Sequence, residues 1–205
     1  RVAGLSRRNA RAKHRRFLVE GPQGVREAVR HAPGRVLDVY LTEAALERHS
    51  EIWDEAVAAG LYVHVTTQQV MDAMSPDAQG LLAVVATEEV TGSEALAAAL
   101  EGARLVAVLT QAQDPGNAGT IIRAADAAGA DAVVLVRGSV DPTAPKVVRS
   151  TAGSLFHLPV VTGVALDDAV TALHNAGLTV LAADGRGDFD LFEAESLLEA
   201  PSAWL

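Results

Sequence analysis

The stretch LVAVLTQAQDPGNAGTIIRAADAAGADAVVLV, residues 105–136, decides how the rest of the chain is interpreted. Residues 105–109 and 132–136 are apolar runs of strand length. The segment between them has helical periodicity, with Asn117 as the predicted N-cap and Gly129 as the residue that ends the helix. A strand–helix–strand unit of this kind predicts a parallel sheet with its ligand site at the carboxyl ends of the strands.

Polar residues gather where the first of these strands ends. They are Gln113, Asp114, Asn117 and Arg123. Two interpretations are open. Asn117 can serve only as a helix cap while Arg123 pairs with Asp126 three residues later, since caps and surface ion pairs are common. Alternatively, a position at the carboxyl edge of a parallel sheet favours a binding site.

Composition narrows the class of protein. The 205 residues allow one large domain or two small ones, and 49% are hydrophobic, which is enough for a core. There is no cysteine, so disulfides and thiol chemistry are excluded. The six histidines show no ligand spacing, so we expect no metal. No apolar run approaches the roughly 20 residues of a membrane span, and no signal peptide is visible, so we expect a cytoplasmic protein.

Charge is distributed unevenly along the chain. The net charge is −9, yet residues 1–16 carry seven lysines and arginines and no acid. A basic arm on an acidic body suits a local contact with phosphates, for which the candidate residues are Arg7, Arg8, Arg11 and Lys13. A solvated tail explains the same pattern equally well.

The hydrophobic pattern predicts two α/β regions, residues 1–86 and 104–205, joined by a linker and lead-in helix over residues 87–103. In the first region we predict strands at 17–21, 35–41, 61–65 and 79–86 and helices at 5–14, 22–31, 42–59 and 67–74. In the second region, beyond residue 136, we predict helices at 145–154 and 166–176 and strands at 158–161, 178–182 and 202–205.

Two motifs resemble those of a known family. Residues 114–129 match D-P-x-N-x-G-T-x-x-R-x-A-x-A-x-G, and KVVRSTAGS at 146–154 is followed by LPVV at 158–161. In order and spacing, the pair is similar to the SpoU (TrmH-type) branch of the SPOUT RNA methyltransferases. The resemblance implies an α/β fold with a small RNA-binding-type domain at residues 1–86. A parallel-sheet SPOUT (α/β knot) domain follows at 104–205, and its knot-forming C-terminal part is expected to be absent from this chain.

The resemblance also implies roles for individual residues. The catalytic candidates are Asn117 and Arg123. A guanidinium keeps its proton at neutral pH, so Arg123 is expected to act as a fixed cation beside the developing alkoxide and not as a base. The expected substrate-binding residues of the second motif are Lys146, Arg149 and Ser150. The expected cofactor-binding residues are Ala182, Ala183, Asp184 and Gly185.

Taken together, the resemblance implies an S-adenosylmethionine-dependent 2′-O-ribose methyltransferase acting on ribosomal or transfer RNA, with no metal. It implies a homodimer formed through the C-terminal domain, where the small residues of the 117–128 helix allow close packing. Without the segment expected beyond Leu205, the methyl-donor pocket is expected to be incomplete. The alternative is a non-catalytic RNA-binding or antibiotic-resistance accessory protein with the same fold. No G-x-G-x-x-G follows a strand, which disfavours a dinucleotide dehydrogenase.

Overall fold

The structure is a computed structural model that describes residues 2–88, 90–187, 190 and 199–205. Its contacts divide the chain into two compact units. The first contains Arg1–Glu89 and Asp141–His157, and the second contains Val90–Val140 and Leu158–Leu205. Residues 141–157, which the sequence analysis groups with the C-terminal region, therefore fold with the N-terminal one.

The described strands and helices alternate along most of the chain. The strands are β1 Arg16–Glu20, β2 Val36–Thr42, β3 Val63–Thr66, β4 Leu81–Ala86, β5 Leu105–Leu109, β6 Ala132–Leu135, β7 Val160–Val161, β8 Thr179–Leu181 and β9 Ser202–Trp204. The α-helices are α1 Arg8–His14, α2 Pro22–His31, α3 Glu43–Arg48, α4 Ser50–Ala58, α5 Gln68–Met74, α6 Gly92–Leu100, α7 Pro115–Ala127, α8 Pro145–Ser150 and α9 Leu166–Asn175. Short 3-10 turns occupy Val2–Ser6, Pro33–Arg35 and Ser154–Phe156. No described helix is both long enough and apolar enough to cross a membrane.

The first unit is built on a mixed sheet with the order β1-β4-β2-β3. Strand β4 is antiparallel to both of its neighbours, and β2 is parallel to β3. Strand β4 is buried from Leu81 to Val85, and helices α2 and α4 pack against the same core. That core also includes Val148 of α8, which explains why the excursion 141–157 folds with this unit.

One predicted helix is wrong in its extent. The sequence predicts a single helix over 42–59, but His49 leaves the helical conformation at φ −135° and divides it into α3 and α4. The predicted cap is confirmed, because the Thr42 hydroxyl accepts a hydrogen bond from the backbone N–H of Ala45 at 3.2 Å.

The second unit is built on a parallel sheet with the order β7-β6-β5-β9-β8. Helices α6 and α9 bury their apolar sides against Val106, Val108 and Val134. Helix α7 packs on β5 and β6 and buries Ile122. The short strand β9 lies between β5 and β8, so the last residues of the chain complete the middle of this sheet. The predicted parallel sheet is confirmed.

Candidate active site

Helix α7 begins where β5 and its loop end, at the carboxyl edge of the second sheet. The N-cap predicted at Asn117 is wrong. Pro115 occupies the first helical turn, so the cap falls on Asp114, whose Oδ1 accepts the N–H of Asn117 at 2.8 Å. The side chain of Asn117 is therefore not used for capping.

The exposed side of α7 carries both predicted catalytic residues. Asn117, Thr120 and Arg123 follow one another at three-residue spacing and are all exposed, so they form one run along the helix. The alternative ion pair between Arg123 and Asp126 is not formed. Within the part of the chain that the structure describes, the side chains of Asn117 and Arg123 make no hydrogen bond or salt bridge. Both groups are available to a ligand.

Three loops at the carboxyl edge are bonded to one another. The N–H of Val140 donates to the carbonyl of Ala112 at 2.8 Å, and the amide of Gln113 donates to the carbonyl of Gly138. The N–H of Arg137 donates to the carbonyl of Val164 at 2.7 Å. These bonds join the loops after β5, β6 and β7 into one surface.

A cavity of about 500 Å³ opens on this surface. It is lined by Thr110, Gln111, Val136, Arg137, Ala165 and Leu166. Gln111 and Arg137 were not among the site residues predicted from the sequence. Arg137 directly follows a predicted strand, so the rule that ligands bind at the carboxyl ends of parallel strands could have found it.

The predicted cofactor residues form an exposed turn after β8. The N–H of Ala183 donates to the carbonyl of Leu205 at 2.9 Å, so the turn is fixed against the end of β9. Asp184 closes the turn by accepting the N–H of Arg186 at 2.9 Å. The small side chains of Ala182, Ala183 and Gly185 leave the backbone open to a flat ligand.

The second motif lies in the first unit, on α8. Arg149 is one-third exposed, and its Nη1 contacts Oε2 of Glu20 and lies 3.0 Å from Oδ2 of Asp77. The guanidinium is engaged by carboxylates of its own unit, and its use as a phosphate clamp stays a prediction. Lys146 is exposed, and the hydroxyl of Ser150 bonds to backbone carbonyls of its own helix.

The basic arm is only partly available for RNA. Arg7, Arg8 and Lys13 are exposed. Arg11 is only 5% exposed and forms a 2.7 Å salt bridge with Asp141, so its guanidinium is already paired, and its contact with phosphate stays a prediction. Burial alone would raise the pKa of Asp141, but hydrogen bonds from Thr143 and Arg11 outweigh it and hold the pKa below its ordinary value.

A parallel α/β sheet with a cavity at its carboxyl edge, where the helix that carries the exposed Asn117 and Arg123 begins, is typical of a ligand site. The chain also matches models of known protein families. The SpoU rRNA methylase family model matches residues 104–204, and the model for RNA 2′-O ribose methyltransferase substrate binding matches residues 18–91. The chain belongs to the SpoU rRNA methylase family, and the predicted family is confirmed.

Similar proteins include bacterial rRNA methyltransferases. RlmP of Bacillus subtilis (strain 168), a 23S rRNA (guanosine(2553)-2'-O)-methyltransferase, is 36% identical over 159 residues, which are 77% of this chain and 58% of RlmP. The 23S rRNA (uridine(2479)-2'-O)-methyltransferase of Streptomyces viridochromogenes is 33% identical over 92% of this chain and 67% of its own. The AdoMet-bound rRNA methyltransferase from Sinorhizobium meliloti superposes with a TM-score of 0.78 at 26% identity, covering 100% of this chain and 75% of that one. The chain thus spans about three-fifths of the length of RlmP.

Proposed function

We propose that the protein transfers the methyl group of S-adenosylmethionine to a ribose 2′-oxygen of ribosomal RNA. The main support for the proposal is the exposed run Asn117–Thr120–Arg123 on α7. Among the described residues, these three side chains do not bond to one another, and none of them caps the helix. The names of the similar proteins favour ribosomal over transfer RNA. An rRNA substrate also favours the cytoplasm as the site of action.

The residues after β8 fit a methyl donor that carries an adenosine. The turn at Ala182–Gly185 offers small side chains, open backbone and the Asp184 carboxylate, which can accept hydrogen bonds from hydroxyl or amino groups. When bound there, the donor would supply a methyl group on a sulfonium. The protein would hold the acceptor oxygen in line with that group, and such positioning is worth up to about 7–11 kcal/mol.

Arg123 supplies the electrostatic part of the reaction. As the ribose hydroxyl loses its proton to water or a phosphate, the fixed guanidinium stabilises the developing negative charge on oxygen. The amide of Asn117 lies along the same side of α7 and orients either the ribose or the guanidinium.

Substrate RNA is proposed to bind the exposed cations of the first unit. Arg7, Arg8 and Lys13 lie on or beside α1, and Lys146 lies on α8, which also carries the half-buried hydroxyl of Ser150 as a further proposed contact. In this proposal, the N-terminal domain binds the substrate RNA and the C-terminal domain catalyses methyl transfer. We further propose that two copies associate through the exposed side of α7, which carries Ile121 among alanines.

The decisive experiment follows label from the methyl donor into rRNA and compares wild type with Arg123→Ala. We expect alkali-resistant dinucleotides carrying label on the ribose, and loss of labelling in the variant with RNA affinity retained. Arg104→Ala removes another exposed arginine of the same unit and serves as the control. Label on a base, or unchanged labelling by Arg123→Ala, would refute the proposal. A protein that binds rRNA without any labelling would instead support the non-catalytic alternative.

A further inference from the structure

Two histidines and a glutamate of the first unit meet outside the site described above. Glu27 and His31 are four residues apart on α2, so their side chains emerge from one side of the helix. His157 directly follows the turn Ser154–Phe156. The Nε2 atoms of His157 and His31 lie 3.0 and 3.3 Å from Oε2 of Glu27, and the two imidazole rings are 4.4 Å apart. The sequence spacing of the histidines gave no sign of this cluster.

Packing of the backbone fixes His157 in this place. Gly153 has φ +103°, and a Cβ there would overlap the side chain of Glu27, so the chain can cross Glu27 only because residue 153 is glycine. Phe156 stacks on Phe17 with ring centroids 6.4 Å apart and packs against the core of the unit. His157 is therefore attached to a packed segment, which holds it close to Glu27 without any bound ligand.

We propose that Glu27, His31 and His157 bind one divalent transition-metal ion, with Zn²⁺ as the preferred ion. Two imidazoles and a carboxylate are a zinc donor set, with bonds of about 2.0–2.2 Å and a fourth position for water. Tetrahedral donors at such bond lengths lie roughly 3.3 Å apart. The three donor atoms here lie within 4.8 Å of one another, with two separations of 3.0 and 3.3 Å. Small side-chain shifts therefore suffice to accept the ion.

One further contact and the exposure of His31 favour binding. Gln23 donates its amide to Oε1 of Glu27 at 3.2 Å, which orients the carboxylate and leaves Oε2 for the ion. The side chain of His31 is 48% exposed, so an ion can enter from solvent. The bound ion would join α2 to the segment that follows α8, within one unit. The inference does not depend on the methyltransferase activity.

Metal titration of tag-free, EDTA-stripped protein tests the inference. Calorimetry with Zn²⁺ is expected to show one equivalent bound, and Co²⁺ is expected to give the visible absorption of a low-coordinate site. Glu27→Gln and His31→Gln should each weaken binding at least about tenfold, since even outer-shell changes cost 10–100-fold. The control is His64→Gln, which removes an exposed histidine of the same unit that pairs with Asp38 at 2.9 Å.

Thermal unfolding supplies a second measurement. At one Zn²⁺ concentration, the midpoint should rise for wild type and for His64→Gln, and should rise less for the two ligand variants. Circular dichroism in EDTA verifies that each variant is folded. Absence of saturable Zn²⁺ binding by wild type would overturn the proposal, and so would equal losses in His64→Gln and the ligand variants. Either result would mean that Glu27, His31 and His157 form a hydrogen-bonded group of side chains and not a metal site.

Discussion

Arg149 connects several polar groups of the first unit. Its guanidinium contacts Glu20 and Asp77, and the hydroxyl of Ser75 donates to the second carboxylate oxygen of Glu20. The side chain of Glu20 is 3% exposed, so its charge depends on these partners. A cation of the second motif thus has a structural use that is independent of RNA.

Arg149→Ala should destabilise the protein by about 2 kcal/mol, less than the 3–5 kcal/mol of a fully buried pair because Arg149 is partly exposed. Urea unfolding measures the change. Lys146→Ala, on the same helix but exposed, should stay within about 0.5 kcal/mol of wild type. Adding Glu20→Gln to Arg149→Ala should recover part of the loss, because the buried charge is then removed. Equal stability of the Arg149 and Lys146 variants would contradict this account.

Asp131 gives stability that depends on pH. Its carboxylate accepts the backbone N–H groups of Arg104 at 2.7 Å and Leu105 at 3.0 Å, and these bonds lower its pKa. A lowered pKa in the folded state means that the stabilisation is complete above the ordinary pKa and is lost as pH falls through the folded value. Asp131→Asn should therefore cost up to about 1 kcal/mol at pH 7, since the site is exposed. The difference from wild type should shrink below about pH 4. Urea titrations across that range measure it, and a pH-independent difference would exclude the mechanism.

At the scale of elements, α7 depends on its cap. Asp114 holds the first turn, from which Asn117 projects, and Arg123 lies further along the same helix. Asp114→Ala should cost about 1 kcal/mol of stability and reduce methyl transfer, because the first turn loses its fixed position. Asp114→Asn is the matched control, since asparagine caps about as well. The two variants are compared by thermal unfolding and by the rRNA labelling assay. Equal behaviour of both variants would show that the cap does not position the site.

The sequence predicted the positions of helices and strands better than it predicted which elements contact one another. Buried strands such as β5 and β6 are continuous apolar runs, and Gly129 marks the end of α7 by its φ of +74°, so local patterns sufficed. The pairing of β5 with β9 could not be predicted, because β9 has three residues and joins strands distant in the chain. Periodicity carries no information about such long-range partners.

In the candidate site, too, local features could be predicted and long-range contacts could not. The exposed run on α7 was predictable because it lies on one helix. The partners of Arg11 and Arg149 lie about 130 residues away, in Asp141 and Glu20, so no local pattern revealed that these cations are already paired. The cluster of Glu27, His31 and His157 could not be predicted for the same reason, because His157 and Glu27 are 130 residues apart in the chain.

For the whole molecule, the exposed side of α7 is the surface on which the proposed homodimer depends. Ile121 is 42% exposed there, and Ala124, Ala127 and Ala128 beside it are small enough for close helix packing. Ala125, also predicted for this contact, is instead buried in the core of its own unit, because it faces the sheet together with Ile122.

Light scattering at micromolar concentration should therefore give the mass of a dimer. Ile121→Asp should raise the dimer dissociation constant at least about tenfold, because association would bury an unpaired carboxylate. Tyr62→Asp is the control, since Tyr62 is 74% exposed but lies in the first unit, and its dissociation constant should match wild type. If light scattering gives the mass of a monomer for the wild-type protein, the proposed dimer is wrong. An effect of Tyr62→Asp without one of Ile121→Asp would place the contact on the other unit. If Ile121→Asp alone weakens both association and methyl transfer, the two copies meet beside Asn117 and Arg123, and the active site includes the interface.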